Sequence, residues 1–493
     1  MDTIITEKQL VPASLWQDKI YSGGWREGQG GVLEVTDKSS GESLGRTGLA
    51  SPEDVASAVA EAKEAQKEWA ALPGPHRGDI IREVSRLVRA HGDEICRQIV
   101  RESGSIVPKG RAEVAMTTRE ILEASVLGSQ PSGMITASEV PGRHSIARRV
   151  PIGVVGVITP WNSPFLLASR AIAPALALGN AVILKPDPQT PICGGAIYAQ
   201  LFEAAGLPKG LFHVLPGGAQ TGDALVRHPS VGMISFTGST RVGRDIAAIA
   251  GGLLKRVSLE LGGNNPFIVL EDADIEAAAS AGAWGAFLHQ GQICLAAGRH
   301  LVHRSIAGAY AEALARHAAA LKVGDPSKGP VHLGPIINER QAANVDRIVA
   351  GSVAKGAKIV TGGTREGLFF QPTVLTDVVP GMPVFDEETF GPVAPVTVFD
   401  TDEEAVSLAN QTEYGLVASV LSPDLQRAQR IADQLHSGIV HINDQTILHE
   451  VYGPIGGVGA SGNGYNYSAL TNADQFTEWQ WVTSRSKIAS YPF

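Results

Sequence analysis

The pattern of apolar and polar positions changes character twice along the chain. Residues 1–50 carry only short alternating stretches broken by Gly23-Gly24 and Gly30-Gly31, which predicts brief strands and turns. From Ser51 the spacing becomes helical. Ser51 suits an N-cap, Pro52 suits the first helical position, and Val55, Val59, Ala62, Ala65 and Trp69 share one face. Ile80, Ile81, Val84, Leu87, Val88, Ile95 and Ile99 predict a second, long helix. Residues 128–145 scatter Gly, Pro, Ser and His among few large apolar groups and predict an exposed arm.

Beyond residue 152 the apolar residues gather into short continuous runs separated by amphipathic segments. The runs 153–158, 181–184, 212–215 and 233–236 predict strands buried on both faces, the mark of a parallel, doubly wound α/β sheet that binds ligands at its carboxyl edge. A second α/β series follows, with strands expected at 267–270, 300–303, 358–360, 393–399, 416–421 and 438–442. Two such units imply two domains. The aromatic stretch from 464 onward, with Tyr465, Tyr467, Phe476, Trp479, Trp481, Tyr491 and Phe493, is too short for a third core and predicts an edge strand that packs on a partner.

Composition narrows the function classes. With 493 residues the chain is about three times a typical domain of ~150. It carries 41 basic against 50 acidic side chains and a formal net charge of −9, which argues against nucleic acid or an anionic membrane as partner. Cys96, Cys193 and Cys294 are too few and too widely spaced for a disulfide framework or a zinc site, so no metal is expected. The first 25 residues lack a signal-peptide apolar run, no stretch has membrane-spanning length, and a reducing cytoplasm is the expected compartment.

Four short segments can carry chemistry. The run Met233–Phe236 leads into Thr237-Gly238-Ser239-Thr240-Arg241-Val242-Gly243, a strand-to-helix turn where free N–H groups can meet a phosphate. Thr240 stands where the usual dinucleotide fingerprint has its second Gly, so the pattern also fits a plain tight turn. Cys294 lies in Gly291-Gln292-Ile293-Cys294-Leu295; a thiolate attacks carbonyl carbon well, yet a Cys between Ile and Leu alone reads as core filler. Glu260, between Leu259 and Leu261 at a strand end, is a candidate general base or an edge glutamate facing water. Asn162, after Thr159-Pro160-Trp161, can donate to an oxyanion or simply make a turn.

Their order decides. Trp161-Asn162, the Gly238 turn, Glu260-Leu261-Gly262-Gly263, Gly291-Gln292-Ile293-Cys294 and Glu388-Thr389-Phe390-Gly391-Pro392-Val393 resemble, in that order, the signature set of the aldehyde dehydrogenase superfamily. The resemblance spans nearly the whole chain. It implies a Rossmann-like cofactor domain (1–127 and 150–262), an α/β catalytic domain (263–455) and a small β oligomerisation arm with tail (128–149 and 464–493). It further implies Cys294 as nucleophile, Asn162 as oxyanion donor and Glu260 as activator of the hydrolytic water. NAD or NADP would be held by Ile158, Thr159, Pro160, Trp161, Lys185, Pro188, Gly238, Ser239, Val242, Leu261, Gly262, Glu388 and Phe390. Pro188 stands where many NAD-preferring relatives carry a Glu against the ribose, so NADP is expected to be accepted.

Local sequences such as Glu260-Leu261-Gly262-Gly263-Asn264-Asn265-Pro266 and Gly459-Ala460-Ser461-Gly462-Asn463-Gly464 are similar to the bacterial benzaldehyde and vanillin dehydrogenase branch, which implies an aromatic aldehyde as substrate. Ser163, Leu167, Arg170, Ile293, Leu295 and His449 would line its pocket, with Tyr452 a further candidate; Arg170 fits a structural ion pair as well as a ring contact. The alternatives are an aliphatic or semialdehyde dehydrogenase of the same family, or a catalytically silent member. A homodimer or homotetramer is expected from the arm and tail.

Overall fold

The computed structural model describes residues 9–493; residues 1–8, which fall within the expected first domain, lie outside the described residues. Helix α1 (Pro52–Ala71) starts as the sequence predicts. Ser51 accepts from the Asp54 backbone N–H and the Asp54 carboxylate accepts from the Ser51 N–H, a reciprocal cap worth about 1 kcal/mol. The expected helix over 80–99 is two helices, α2 (Gly74–Ala90) and α3 (Gly92–Ser103), broken at His91. Gly92, followed by Asp93 and Glu94 in the first turn of α3, carries a stop and a fresh start that apolar spacing alone misses. Helix α4 (Val107–Ala124) then crosses α5 (Pro164–Ala177), whose residues are all buried.

The first sheet contains the expected parallel strands β1 (Val154–Ile158), β2 (Ala181–Lys185), β3 (Phe212–Val214), β4 (Val231–Thr237) and β5 (Arg256–Glu260). Their spatial order is β5-β4-β1-β2-β3, extended past β3 by the strands Lys19–Tyr21 and Trp25–Glu27. The chain moves outward one way from β1 to β3 and the other way through β4 to β5. The crevice between the carboxyl ends of β1 and β4 is therefore a topological switch point, the place where such sheets bind ligands.

The second seven-stranded sheet is ordered Lys358–Thr361, β8 (Thr373–Thr376), β9 (Val393–Phe399), β7 (Arg299–His303), β6 (Pro266–Val269), β10 (Val417–Leu421) and β11 (Ile439–Ile442). Strand β8 was not expected from the sequence; Lys358–Thr361 pairs with it antiparallel at the sheet edge. Apolar clusters fill both faces of this sheet.

The arm consists of Gly133–Ile135 and His144–Pro151, joined along the full length of the latter by the final strand Thr477–Ser484. The aromatic stretch divides in two. Tyr467 and Phe476 are buried in the first core rather than in the arm, while Trp479, Trp481, Tyr491 and Phe493 are exposed. Among the described residues no helix is long and apolar enough to cross a membrane.

Candidate active site

Strand and loop ends from both sheets meet over the switch point. Strand β1 ends at Ile158, which pairs with Lys185 of β2 and Phe236 of β4. The chain then turns through Thr159, Pro160, Trp161 and Asn162 into α5, with Ser163 at its N-cap. Two buried residues of α4 hold this turn. Lys109 Nζ donates to the Asn162 carbonyl at 2.8 Å and to Glu113 Oε2 at 2.5 Å. Glu113 Oε1 accepts the first backbone N–H groups of α5, from Phe165 and Leu166. The Asn162 side chain thereby points at the cysteine loop, its Nδ2 donating to the Gln292 carbonyl at 2.9 Å. An amide nitrogen has two N–H groups, so one remains for a substrate oxygen.

Cys294 sits in the loop between α7 (Ile275–Phe287) and β7, and the approach to it is conformationally unusual. His289, Gln290 and Gly291 all have left-handed backbone, at φ 51°, 57° and 67°. At Gly291 a side chain would collide with the Gly391 carbonyl. Asn265 fixes the far side, its Nδ2 donating to the carbonyls of Cys294 and Ala296, each at 2.8 Å. Cys294 is half-buried; burial, then the Glu388 carboxylate, pushes its thiol up to about 12, while Arg170 acts in the opposite sense.

Glu260 ends β5 beside Thr237 and is held by the segment Ser461–Asn463. Leu261 N–H donates to the Ser461 carbonyl, and Asn463 bonds both the Leu259 N–H and the Val257 carbonyl. Its carboxyl is buried, and Oε1 has no hydrogen-bond partner among the described residues. Desolvation raises it well above the usual carboxylate range, with Arg170 the opposing charge, so an expected general base has the environment such a base needs.

Several of the residues expected around a cofactor stand in direct contact, Ile158 with Lys185, Trp161 with Phe390 and Gly262 with Glu388. Gly238 and half-buried Val242 flank the start of helix α6 (Thr240–Gly252), with exposed Ser239 at its N-cap. Gly262 lies against the Glu388 carboxylate, whose Oε1 accepts the Gly263 N–H at 3.0 Å and which burial raises to about 7. Phe390, itself left-handed at φ 49°, sets its ring edge-on to Trp161 at 5.5 Å; such backbone costs about 1–3 kcal/mol and collects at functional sites. Across β1, buried Lys185 has its ammonium lowered by desolvation against the single countercharge of Asp187. Thr159 Oγ1 is buried without a partner among the described residues. These are groups a ribose or phosphate can satisfy. Pro188 follows half-buried, and Asp187 is occupied in its own turn, accepting the Gln189 N–H at 2.9 Å.

The expected pocket residues divide. Leu167 and Arg170, one turn apart on α5, are buried on the side toward Glu260 and Cys294. Arg170 ion-pairs with Glu120 of α4 at 3.4 Å while its Nη2 is unpartnered among the described residues. His449 approaches from the loop after β11, within the field of Arg170. Ile293 is half-buried beside Cys294, on the side of Glu388 and Phe390, and packs against a small core that Leu295 forms with Leu416 and Val417, so neither is placed at a substrate ring. Tyr452 is 60% exposed and bonds Glu123, so it lies on the surface and not in the pocket. Lys109, Glu113, Asn265 and Asn463 were missed from the sequence, because their roles depend on partners far along the chain.

The aldehyde dehydrogenase family profile matches residues 25–482. Benzaldehyde dehydrogenase [NAD(+)] of Pseudomonas putida is 52% identical over 97% of this chain and 98% of its own. Vanillin dehydrogenase of an Amycolatopsis strain is 48% identical over 97% and 98%. The crystal structure of an NADP-dependent enzyme of E. coli superposes with a TM-score of 0.92 at 34% identity, covering 97% of this chain and all of that one.

Proposed function

The chain belongs to the aldehyde dehydrogenase family, and we propose that it oxidises an aromatic aldehyde to the carboxylic acid with NAD or NADP, through a thioester on Cys294. The observation that carries this reading is the bond from Asn162 Nδ2 to the Gln292 carbonyl, two residues before Cys294, with the buried Glu260 carboxylate near enough to act on the Cys294 thiol. The high identity to a benzaldehyde dehydrogenase supports the aromatic substrate.

The Cys294 thiol gives its proton to solvent water, and the sulfur adds to the aldehyde carbon, forming a C–S bond and an alkoxide. Asn162 Nδ2 and the Cys294 backbone N–H donate to that oxygen. The oxidised nicotinamide, when bound, is the acceptor of the hydride that leaves the tetrahedral carbon. Lys185, Thr159, Gly238 and Ser239 would bind the adenosine and phosphate portions, and Glu388, Phe390 and Trp161 would orient the nicotinamide end. Glu260 takes a proton from water, the hydroxide displaces sulfur from the thioester carbon, and the thiol and acid are released.

Incubation with benzaldehyde or succinic semialdehyde and either cofactor, followed by nicotinamide absorbance, tests the reading. Faster turnover of benzaldehyde is expected. Oxidation of succinic semialdehyde alone would replace the aromatic substrate with an aliphatic one, and an unchanged rate in Cys294→Ala would end the thioester mechanism. With Pro188 in place of a ribose-binding carboxylate, NADP is also expected to serve; a preference for NAD of at least about a hundredfold in kcat/KM overturns that part. The arm, with Ile135 86% exposed and Trp481 70% exposed, is proposed to join copies of the chain into a dimer or tetramer.

A further inference from the structure

The short segment that joins α3 to α4 bonds both the cysteine loop and the turn that carries the oxyanion donor. Towards the cysteine loop, Ser105 Oγ lies 3.3 Å from His289 Nδ1, and the Gly104 carbonyl accepts from Gln290 Nε2 at 3.2 Å. Towards the oxyanion donor, Lys109 Nζ donates to the Asn162 carbonyl at 2.8 Å, while Glu113 balances its charge and accepts the first N–H groups of α5. Ser105 and Lys109 are four residues apart, the first on the connector and the second in the opening turn of α4. Ser103, Ser105, Lys109, Glu113 and His289 are all buried.

The direction of each bond shows what His289 contributes. Ser103 has one hydrogen and gives it to the Ile99 carbonyl at 2.7 Å, since a carbonyl only accepts. In the 2.8 Å contact between Ser103 and Ser105 the donor is therefore Ser105. Ser105 has no hydrogen left for His289, so the imidazole Nδ1–H donates to Ser105 Oγ. Nε2 has no partner among the described residues, which leaves the bond to Ser105 as the one that anchors the ring there. The backbone of His289 is left-handed at φ 51°, a conformation that persists only where the surroundings hold it. These contacts close into a circuit. His289 holds Ser105, Lys109 on the same segment holds the Asn162 carbonyl, and Asn162 Nδ2 returns to the Gln292 carbonyl, three residues past His289.

We propose that the segment Ser103–Glu113 is a clamp that sets the spacing between the oxyanion donor Asn162 and the Cys294 sulfur, with His289 and Lys109 as its positioning residues. The inference rests on the thioester mechanism above and deepens it. The alkoxide must lie within hydrogen-bond reach of Asn162 Nδ2 as the C–S bond forms, so the donor and the sulfur tolerate little relative movement. Neither stands on a regular element: Asn162 is in a turn and Cys294 in a loop. One buried segment bonded to both fixes their separation without touching the substrate. The role also accounts for the buried Lys109–Glu113 pair, because desolvating two charges is costly and apolar side chains of similar volume often replace such a pair without loss of stability.

Benzaldehyde oxidation, which develops an oxyanion, is set against alkylation of Cys294 by iodoacetamide, which develops none. In Ser105→Ala, and separately in Lys109→Met combined with Glu113→Gln, which leaves no carboxylate unpaired, kcat/KM for benzaldehyde is expected to fall about 10–10²-fold. Alkylation, read by mass spectrometry, should be no slower than in the native chain, and cofactor affinity, read by fluorescence quenching, should stay close to native. His289→Asn keeps an amide donor near the Nδ1 position and suits left-handed backbone, so it should retain most of the activity that His289→Ala loses. The two holds should also couple: with all three substitutions combined, the loss is smaller than the product of the separate losses, because a clamp open at one end no longer fixes the spacing. An unchanged kcat/KM in Ser105→Ala, separate losses that multiply in full, or alkylation slowed in proportion to oxidation overturns the proposal. Ser105→Ala and the His289 variants decide it should the Lys109 variant not fold. An unchanged rate in Cys294→Ala would instead overturn the thioester mechanism it rests on.

Discussion

Glu260 and Cys294 illustrate how burial sets the chemistry of a single side chain. Both are raised, Cys294 to about 12 and Glu260 well above the usual range, and both by desolvation first. A raised acid is protonated until the pH climbs past its pKa, so both the attacking thiolate and the general base become more abundant as pH rises. We expect kcat/KM to increase from about pH 6 to about pH 9 with no acid optimum; a maximum below neutrality contradicts these environments. Glu260→Gln should still acylate, giving a burst of reduced nicotinamide of at most one equivalent, with steady turnover reduced about 10²–10⁴-fold. Unreduced steady turnover would remove Glu260 from the hydrolytic step. Glu388 is the next largest influence on the thiol after burial, so Glu388→Gln should make iodoacetamide alkylation of Cys294 several-fold faster at neutral pH, read by mass spectrometry; an unchanged or slower rate would dismiss that coupling.

At the scale of elements, the site is a matter of how loops are pinned. Asn265 bonds two carbonyls of the cysteine loop and also accepts the Val417 N–H, tying that loop to β10. Asn265→Ala releases all three bonds, and a displacement of about 1 Å at a nucleophile can cost about 10²-fold in rate. We expect kcat to fall by at least about tenfold while cofactor affinity, measured by fluorescence quenching, stays close to native. Equal activity would show the loop to be held elsewhere. This contact also marks the limit of what the sequence reveals. Cys294, Glu260 and Asn162 are legible because their short segments stand in a recognisable order, and β1 to β4 because continuous apolar runs mean strands buried on both faces. Asn265 stands in a segment noticed only for its likeness to relatives, and Lys109 with Glu113 on an ordinary amphipathic helix; their partners outside that helix and segment are 29 and 52 residues away or more. Periodicity hid the break at His91 for a similar reason, since both halves continue one apolar stripe. It passed over β8 because Thr373–Thr376 offers only Val374 and Leu375 as an apolar run between two threonines.

For the molecule as a whole, the final strand links chemistry to assembly without touching the reacting groups. Thr477–Ser484 pairs residue for residue with His144–Pro151, Arg149 stacks over Trp479 at 4.3 Å, and Arg148 donates to Gln480 at 2.8 Å. Just before it, Phe476 is buried in the first core and Gln475 bonds Ser258 next to the Glu260 strand end. The boundary between core and arm therefore falls at Thr477, not at residue 464 where the aromatic stretch begins. Removing residues 478–493 strips His144–Pro151 of one neighbour and leaves it with an open, partly apolar edge, yet spares Tyr467, Phe476 and the segment that holds Glu260. The truncated chain should keep native circular dichroism while its mass by light scattering drops to a smaller assembly than the full chain forms. Identical masses for the two would show that copies associate through another surface. Loss of the native spectrum would show instead that the arm contributes to folding of the first core, which the burial of Phe476 on the core side of Thr477 argues against.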